Sequence, residues 1–278
     1  MPLISAVIPI FYPSTSTIEN IKSYAPYIDV IYIIYNSPIP PNIEKSISDI
    51  KNTFVLYRGE NIGISKALNL ALDKAHTSGY KWLLTIDQDS SFPKDSFQTL
   101  LSSLKTIDTH DLIIFSPIHN KKFQQTYKKH NLKESPFVMT SGNLVNISLA
   151  KLLNGYDENL FIDEVDHEFC FRATQQGYRI VQDTSIALNH HLGEVHQEFL
   201  TIKLYPPIRL YYMIRNYLYL RKKYYYSETY FFQQRDTYLF KFMLQQMIYG
   251  KQKFSNIVNI YQGIKDYRKK QYGKYNHA

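Results

Sequence analysis

Two aspartates stand two residues apart in the string DQDS, as Asp87 and Asp89, directly after the apolar run WLLTI at 82–86. In extended backbone, side chains at i and i+2 point the same way, so the two carboxylates converge. Convergent carboxylates repel each other unless a cation lies between them. Hard oxygen ligands suit Mg2+ or Mn2+, which commonly join one or two carboxylates to substrate phosphates. The plainer alternative is a solvated acidic turn capping the helix at 93–104; placement at the end of a buried strand favours the ligand role. A second cluster holds five acids between Glu158 and Glu168. Acids at a helix start are favoured by the helix dipole, but five exceed what capping needs, and a carboxylate near a strand-end site can act as a general base. A third feature is Asn189-His190-His191, after the apolar run 186–188. A histidine there can be a metal ligand, a phosphate contact or a satisfied loop residue.

These groups need elements to hold them. Apolar, β-branched runs at 3–10, 30–35, 53–57, 82–86 and 112–116, with a shorter one at 179–181, read as strands. Helical spacing of apolar residues marks 64–75, 97–104 and 164–176. Ser16-Thr17-Ile18-Glu19 fits a capping box opening a helix to about residue 23. The Lys-rich segment 120–134 reads as a surface loop, and everything after 202 reads as helix. Strands alternating with amphipathic helices predict an α/β fold with a mainly parallel sheet and helices on both faces. Ligands of such sheets bind beyond the carboxyl ends of the strands, which is where FYPS, Asn36-Ser37, RGENIG and DQDS fall. The first turn is FYPST, not G-x-G-x-x-G, and there is no phosphate-binding P-loop, which argues against a dinucleotide-dependent dehydrogenase. An aspartyl-phosphate nucleophile usually follows the first strand, whereas this D-x-D follows the fourth.

The chain has 278 residues, 44% apolar and 20% charged, enough for a sizeable core. Its single cysteine, Cys170, excludes an internal disulfide and any zinc site built on two cysteines. The net charge of +8 is unevenly spread. Residues 1–200 hold 17 Lys+Arg against 21 Asp+Glu; residues 201–278 hold 15 against 3, and 15 of the 25 tyrosines. This predicts a slightly acidic catalytic domain at 1–200 and a basic, aromatic helical extension at 201–278. A basic Tyr-rich protein that binds nucleic acid without catalysis is the alternative class; an acidic body without a nucleic-acid motif argues against it. Within 237–249, Leu239, Phe240, Phe242, Met243, Met247 and Ile248 beside Lys241 suit a membrane interface, or else a helix packed on the body or on a second subunit in a homodimer. The N-terminus lacks a charged n-region and its apolar stretch is interrupted by Pro9, and no apolar run reaches 18 residues. The expectation is a cytoplasmic protein, with peripheral attachment to the inner membrane face left open.

Taken in order, VIPIFYPS (7–14), RGENIGISKALNLAL (58–72), LLTIDQDSSF (83–92), TSGNLVNIS (140–148), GYDENLFIDEVDHEFCFR (155–172), NHHLGE (189–194) and RLYYMIRNYLYLRKKY (209–224) resemble the family-2 inverting glycosyltransferases of GT-A fold, in their bacterial rhamnosyltransferase-like branch. The resemblance implies that Pro9, Tyr12 and Asn36 line the nucleotide pocket, that Arg58, Asn61 and Gly63, with Lys66 nearby, shape the loop at the nucleobase and ribose, and that Gln88, Ser141, Gly142 and Asn143 lie along the donor. It implies Asp89 at the metal, Mg2+ or Mn2+, Asp87 at the ribose or the metal, His190 (or the adjacent His191) at the metal, and Asp166 as catalytic base. The family's E-D pair is absent in its usual form, since Val165 precedes Asp166, and this leaves Asp163 as the other candidate. Glu168, Arg172, Arg215 and Asn216 fall on the acceptor side. The donor the resemblance favours is dTDP-rhamnose, with a UDP- or GDP-sugar as the alternative; the implied acceptor is a lipid-linked oligosaccharide of a bacterial surface polysaccharide such as a capsule or O-antigen.

Overall fold

The computed structural model describes residues 3–119, 131–190 and 203–276. Four strands lie parallel at one side of the sheet: β1 (Ile4–Ile10), β2 (Val30–Tyr35), β3 (Thr53–Arg58) and β4 (Trp82–Thr85). Their helices are α1 (Ser16–Lys22), α2 (Pro41–Ser48) and α3 (Ile64–Thr77). A short strand, β5 (Ser90–Ser91), leads into α4 (Ser96–Leu104). Next come β6 (Leu112–His119), β7 (Leu132–Glu134), β8 (Asn143–Asn146), α5 (Ile147–Leu152), α6 (Val165–Gln175) and β9 (Arg179–His190). The order across the sheet is β3-β2-β1-β4-β8-β6-β9, with β5 and β7 on β9. β8 runs antiparallel between β4 and β6, so the parallel half ends at β4 and the sheet as a whole is mixed. β1 is flanked by β2 and β4, and the chain reverses its direction of progress there. This is the kind of switch point beyond whose strand ends open α/β sheets bind ligands.

Alternation along the strands separates two cores. Ala6, Ile8, Ile31, Ile33, Phe97 and Leu100 build one face. Val7, Tyr32, Ile34, Leu68, Leu72 and Phe169 build the other, and that core runs on into Leu210, Tyr217, Phe232 and Met243. The latter lie on α7 (Pro207–Tyr224) and α8 (Thr229–Tyr249), which are followed by α9 (Lys253–Arg268). α9 comes close against α7 at Gly263, where a Cβ would stand 2.5 Å from Ile214 Cγ2 and 2.7 Å from the Tyr211 carbonyl oxygen.

Several local expectations need correction. The capping box does not form: Glu19 pairs with Lys22 at 2.9 Å, and Ser16 Oγ is 2.7 Å from Ser14 Oγ. β3 forms as expected but at the edge of the sheet, with Phe54 and Val55 exposed. α2, with proline at its first turn and Ile43 and Ile47 buried, lies in what reads as a turn after β2. The expected loop 120–134 falls outside the described residues up to 130, and its end forms β7 on β9. The runs 179–181 and 186–188 belong to one strand.

The tyrosine-rich tail divides in two. Its inner tyrosines are spent on acids. Tyr211 donates to Asp266 (2.8 Å), Tyr219 to Asp157 (2.6 Å), Tyr224 to Glu168 (2.8 Å) and Tyr217 to Asp236. They are packing elements and not a base-stacking surface. Among the described residues, no helix is long and apolar enough to cross a membrane.

Candidate active site

The D-x-D turn is tied on both sides. The Gln88 amide accepts from Phe11 N and donates to Phe11 O, both at 2.9 Å, and Asn20 Nδ2 donates to Gln88 O. Gln88 therefore joins the end of β1 to the end of β4, a positioning role that the resemblance does not give it. The register Thr85↔Asn143 sets Ser141-Gly142 beside the turn. Asp87 N donates to Ser141 Oγ (3.0 Å), and Ser141 Oγ donates to Ser90 Oγ (2.7 Å); both serines are buried. Gly142 N donates to Thr85 O at 2.7 Å. Asn143 donates to Met139 O, which leaves its buried Oδ1 without a hydrogen-bond partner. β5 pairs Ser90 with His190, so the His190 backbone lies one step from Asp89; its side chain is outside the described set.

The loop after β3 is held from within. Asn36 Oδ1 accepts from Ile62 N (3.2 Å), and Asn61 Oδ1 accepts from Gly63 N (2.9 Å). Ile64 N then donates to Phe161 O at 2.7 Å, which ties this loop to the segment ahead of α6. Gly63 has φ +80°, and a Cβ there would lie 2.5 Å from Phe161 O and 2.6 Å from its ring. Gly63→Ala is therefore expected to destabilise the fold by about 1–3 kcal/mol and to weaken nucleotide binding, measured by denaturant unfolding and nucleotide titration. Arg58 is exposed, pairs with Glu44 and lies over the Tyr35 ring at 5.1 Å. Tyr12, at φ 46°, is exposed and held by Tyr12 N to Ser37 Oγ. Pro9 is half-buried in β1 and Lys66 is exposed on α3. The end of the chain returns to this loop: Lys274 pairs with Glu60, and Tyr275 N donates to the Tyr212 hydroxyl.

The acidic cluster sits where the backbone enters α6 through two left-handed residues, Asp163 (φ 63°) and Glu164 (φ 64°). Asp163 Oδ1 pairs with Arg209 at 3.0 Å, and its buried Oδ2 has no hydrogen-bond partner. Burial raises the Asp163 carboxyl above its ordinary value, outweighing the pull of Arg209. Glu164 pairs with His167 (2.8 Å) and Arg235 (2.9 Å). Burial alone would raise Glu164, but these two partners outweigh it and hold the carboxyl at about 2. Burial alone would likewise lower His167; Asp166 and Glu164 reverse the direction. Asp166 is partly exposed in the first turn of α6, where Oδ1 accepts from His167 N at 2.9 Å.

Arg209 is bound to the acidic cluster through Asp163. Burial would lower its pKa, but Asp163 outweighs that and Asp87 adds to the upward shift, so the guanidinium lies in the field of both clusters. Arg209, Arg235 and His167 are the site residues that sequence reasoning missed. The expected acceptor-side residues are placed differently. Glu168 is fully buried between Arg172, Lys223 and Tyr224. Arg215 is buried beside the Tyr211 and Tyr212 rings. Asn216 donates to Ile162 O (2.6 Å) and Asp163 O (3.2 Å). All four make hydrogen bonds within the protein that join α6, α7 or the loop ahead of α6.

Among the described residues, no three His, Cys, Asp or Glu side chains come together to hold a metal ion. Two carboxylates nevertheless fit a Mg2+ or Mn2+ site that substrate phosphates complete, because these ions need only one or two protein carboxylates there.

Residues 15–171, more than half of the chain, match Glycosyl transferase family 2. The chain belongs to that family. The dTDP-rhamnosyl transferase RfbF of Shigella flexneri is 24% identical over 186 residues, which is 60% of this chain and 62% of that protein, so the match spans less than two thirds of the relative. Among solved structures, GalNAc-T7 with UDP, GalNAc and Mn2+ aligns over 96% of this chain and 56% of its own (TM-score 0.61, 13% identity). The Pyrobaculum calidifontis mannosyltransferase PcManGT with GDP-Man and Mn2+ aligns over 95% and 73% (TM-score 0.59, 11% identity). Staphylococcus aureus TarS 1-349 with UDP-GlcNAc aligns over 99% and 94% (TM-score 0.53, 16% identity). At these identities the likeness is one of fold. It is the GT-A fold, with C-terminal helices in addition.

Proposed function

We propose that this family-2 chain is an inverting glycosyltransferase that moves a sugar from a nucleotide-sugar to a hydroxyl of a saccharide acceptor. The observation that carries the reading is the entry to α6, where Arg209 holds Asp163 at 3.0 Å while Asp166 stays partly exposed. The donor would lie along Asn36, Asn61, Gly63 and Ser141–Asn143, with its diphosphate toward Asp87, Asp89 and Arg209. Asp166 takes the proton of the acceptor hydroxyl as that oxygen bonds to the anomeric carbon. The bond from that carbon to the diphosphate breaks with its electron pair, and the nucleoside diphosphate leaves. Attack from the face opposite the leaving group inverts the centre. A sugar hydroxyl is a poor nucleophile until its proton is removed, which is why a base is needed. Arg209 meets the negative charge that gathers on the leaving diphosphate. Asp87 and Asp89, with His190, would hold a divalent cation, which when bound offsets several kcal/mol of that charge.

The relative's name supports dTDP-rhamnose as donor, and the acceptor is proposed to be a lipid-linked oligosaccharide in bacterial surface polysaccharide synthesis. A thermal-shift screen of dTDP-rhamnose, UDP-sugars and GDP-sugars, each with and without Mn2+, tests the reading, because a ligand that binds only the folded state raises the melting temperature. One donor should stabilise the chain in a metal-dependent way. Asp89→Ala should abolish the metal-dependent part. A silent screen would refute the donor site, and an unchanged metal response in Asp89→Ala would remove that residue from the metal.

A further inference from the structure

The hairpin of α8 and α9 carries an apolar surface that the proposed reaction does not use. Its inner side buries Phe232, Leu239, Phe242 and Met243 from α8 and sets Asn256, Gly263 and Asp266 of α9 inward. On the outer side, Phe240, Leu244 and Ile248 recur at i, i+4 and i+8 and are exposed. Phe254, Ile257, Val258 and Tyr261 of α9 recur at i, i+3, i+4 and i+7 and are exposed as well. Phe240 is 72% exposed, Phe254 80% and Tyr261 65%. A helix that buries one apolar side and leaves a second apolar side in contact with solvent marks a surface with an occupant.

Charge identifies the occupant. Between Asp236 and Asp266 there is no acidic residue, whereas Lys241, Lys251, Lys253 and Lys265 all fall there and are exposed. Each lysine stands beside, or one helical turn from, an exposed aromatic: Lys241 beside Phe240, Lys251 and Lys253 ahead of Phe254, and Lys265 four residues after Tyr261. Protein interfaces generally deplete lysine. Apolar residues rimmed by lysine without acids suit the boundary of a bilayer that bears anionic headgroups, where the apolar side enters the acyl edge and the lysines remain among the phosphates. We propose that the α8–α9 hairpin docks on an anionic bilayer surface through Phe240, Leu244, Ile248, Phe254, Ile257 and Tyr261. The buried Leu239, Phe242 and Met243, which the sequence pattern places in the same stripe, belong to the core instead. The proposal does not depend on the donor or the chemistry.

The test uses the full chain and flotation with vesicles of phosphatidylcholine alone or of equal parts phosphatidylcholine and phosphatidylglycerol. Binding is expected to the mixed vesicles only and should weaken with added salt. Phe254→Glu/Ile257→Glu and Lys251→Gln/Lys253→Gln should each weaken it by about tenfold or more. Melting temperature should be unchanged in both, because the side chains are exposed. Failure to float, equal binding to both vesicles, or full binding by both variants would overturn the proposal. So would a dimer in sedimentation, or retention of single-stranded RNA at physiological salt, that the same substitutions abolish without changing flotation. If the glutamate variant misfolds, the glutamine variant alone decides.

Discussion

Asp166→Asn should reduce sugar transfer by about 10²–10⁴-fold, the usual span of general-base catalysis, and should leave donor binding and the melting temperature close to their original values. The substitution keeps the side-chain shape and an oxygen that can still accept the His167 amide hydrogen bond seen at 2.9 Å. It removes only the capacity to take a proton. Asp166 fits that task better than Asp163 because it is partly exposed at the start of α6, whereas Asp163 is committed to Arg209 at 3.0 Å. Asp163→Asn should act differently. It loosens Arg209 and should therefore weaken donor binding along with turnover. Rate measurements at saturating donor, paired with donor titration by thermal shift, separate the two. Undiminished turnover in Asp166→Asn, together with a full loss in Asp163→Asn at normal donor affinity, would move the base to Asp163.

The parts of this site that sequence made legible are those built from contiguous residues. DQDS follows an apolar strand, GENIG follows another, and the acids before α6 stand within a few positions of one another, so period and placement locate them. Two of the three missed partners are remote. Arg209 meets Asp163 across 46 residues and Arg235 meets Glu164 across 71. Only tertiary packing sets such pairs, and a lone arginine in an aromatic helix carries no local sign of its partner. The antiparallel course of β8 was hidden for the same reason, since strand direction follows from connection path and not from composition. Helix α2 failed for a different reason: its proline start also signals a turn, and two isoleucines four apart are a thin stripe. An acid's role is equally hidden until its surroundings are known. Glu168 and Asp166 stand two residues apart on one helix, yet one is sealed in the core and the other is partly open.

Glu168→Ala should destabilise the chain by about 3–5 kcal/mol, the cost of stripping one partner from a buried ion pair, out of a total of about 5–15 kcal/mol for an ordinary domain. Glu168 is fully buried and accepts from Arg172 Nε (3.0 Å) and Nη2 (2.7 Å), Lys223 Nζ (2.7 Å) and the Tyr224 hydroxyl (2.8 Å). Arg172 in turn donates to the carbonyls of Leu153 and Gly155, so the carboxylate joins α6, the loop ahead of it and α7. Alanine would leave the partly buried Arg172 and the buried Tyr224 facing a void. Tyr224→Phe removes one hydrogen bond and should cost about 1 kcal/mol. pH gives an independent readout. Burial alone would raise the Glu168 carboxyl, but Arg172 and Lys223 outweigh it, so the group titrates below its ordinary value of 4.5. A carboxyl depressed in the folded state contributes stability above that ordinary value and loses it as the pH falls through the folded one. The original chain should therefore weaken on acidification below about pH 4.5, and Glu168→Ala should weaken less steeply over the same span. Urea unfolding of both proteins across that range decides the matter. Equal slopes would mean that the Glu168 carboxylate is not the charged group that ties α6 to α7.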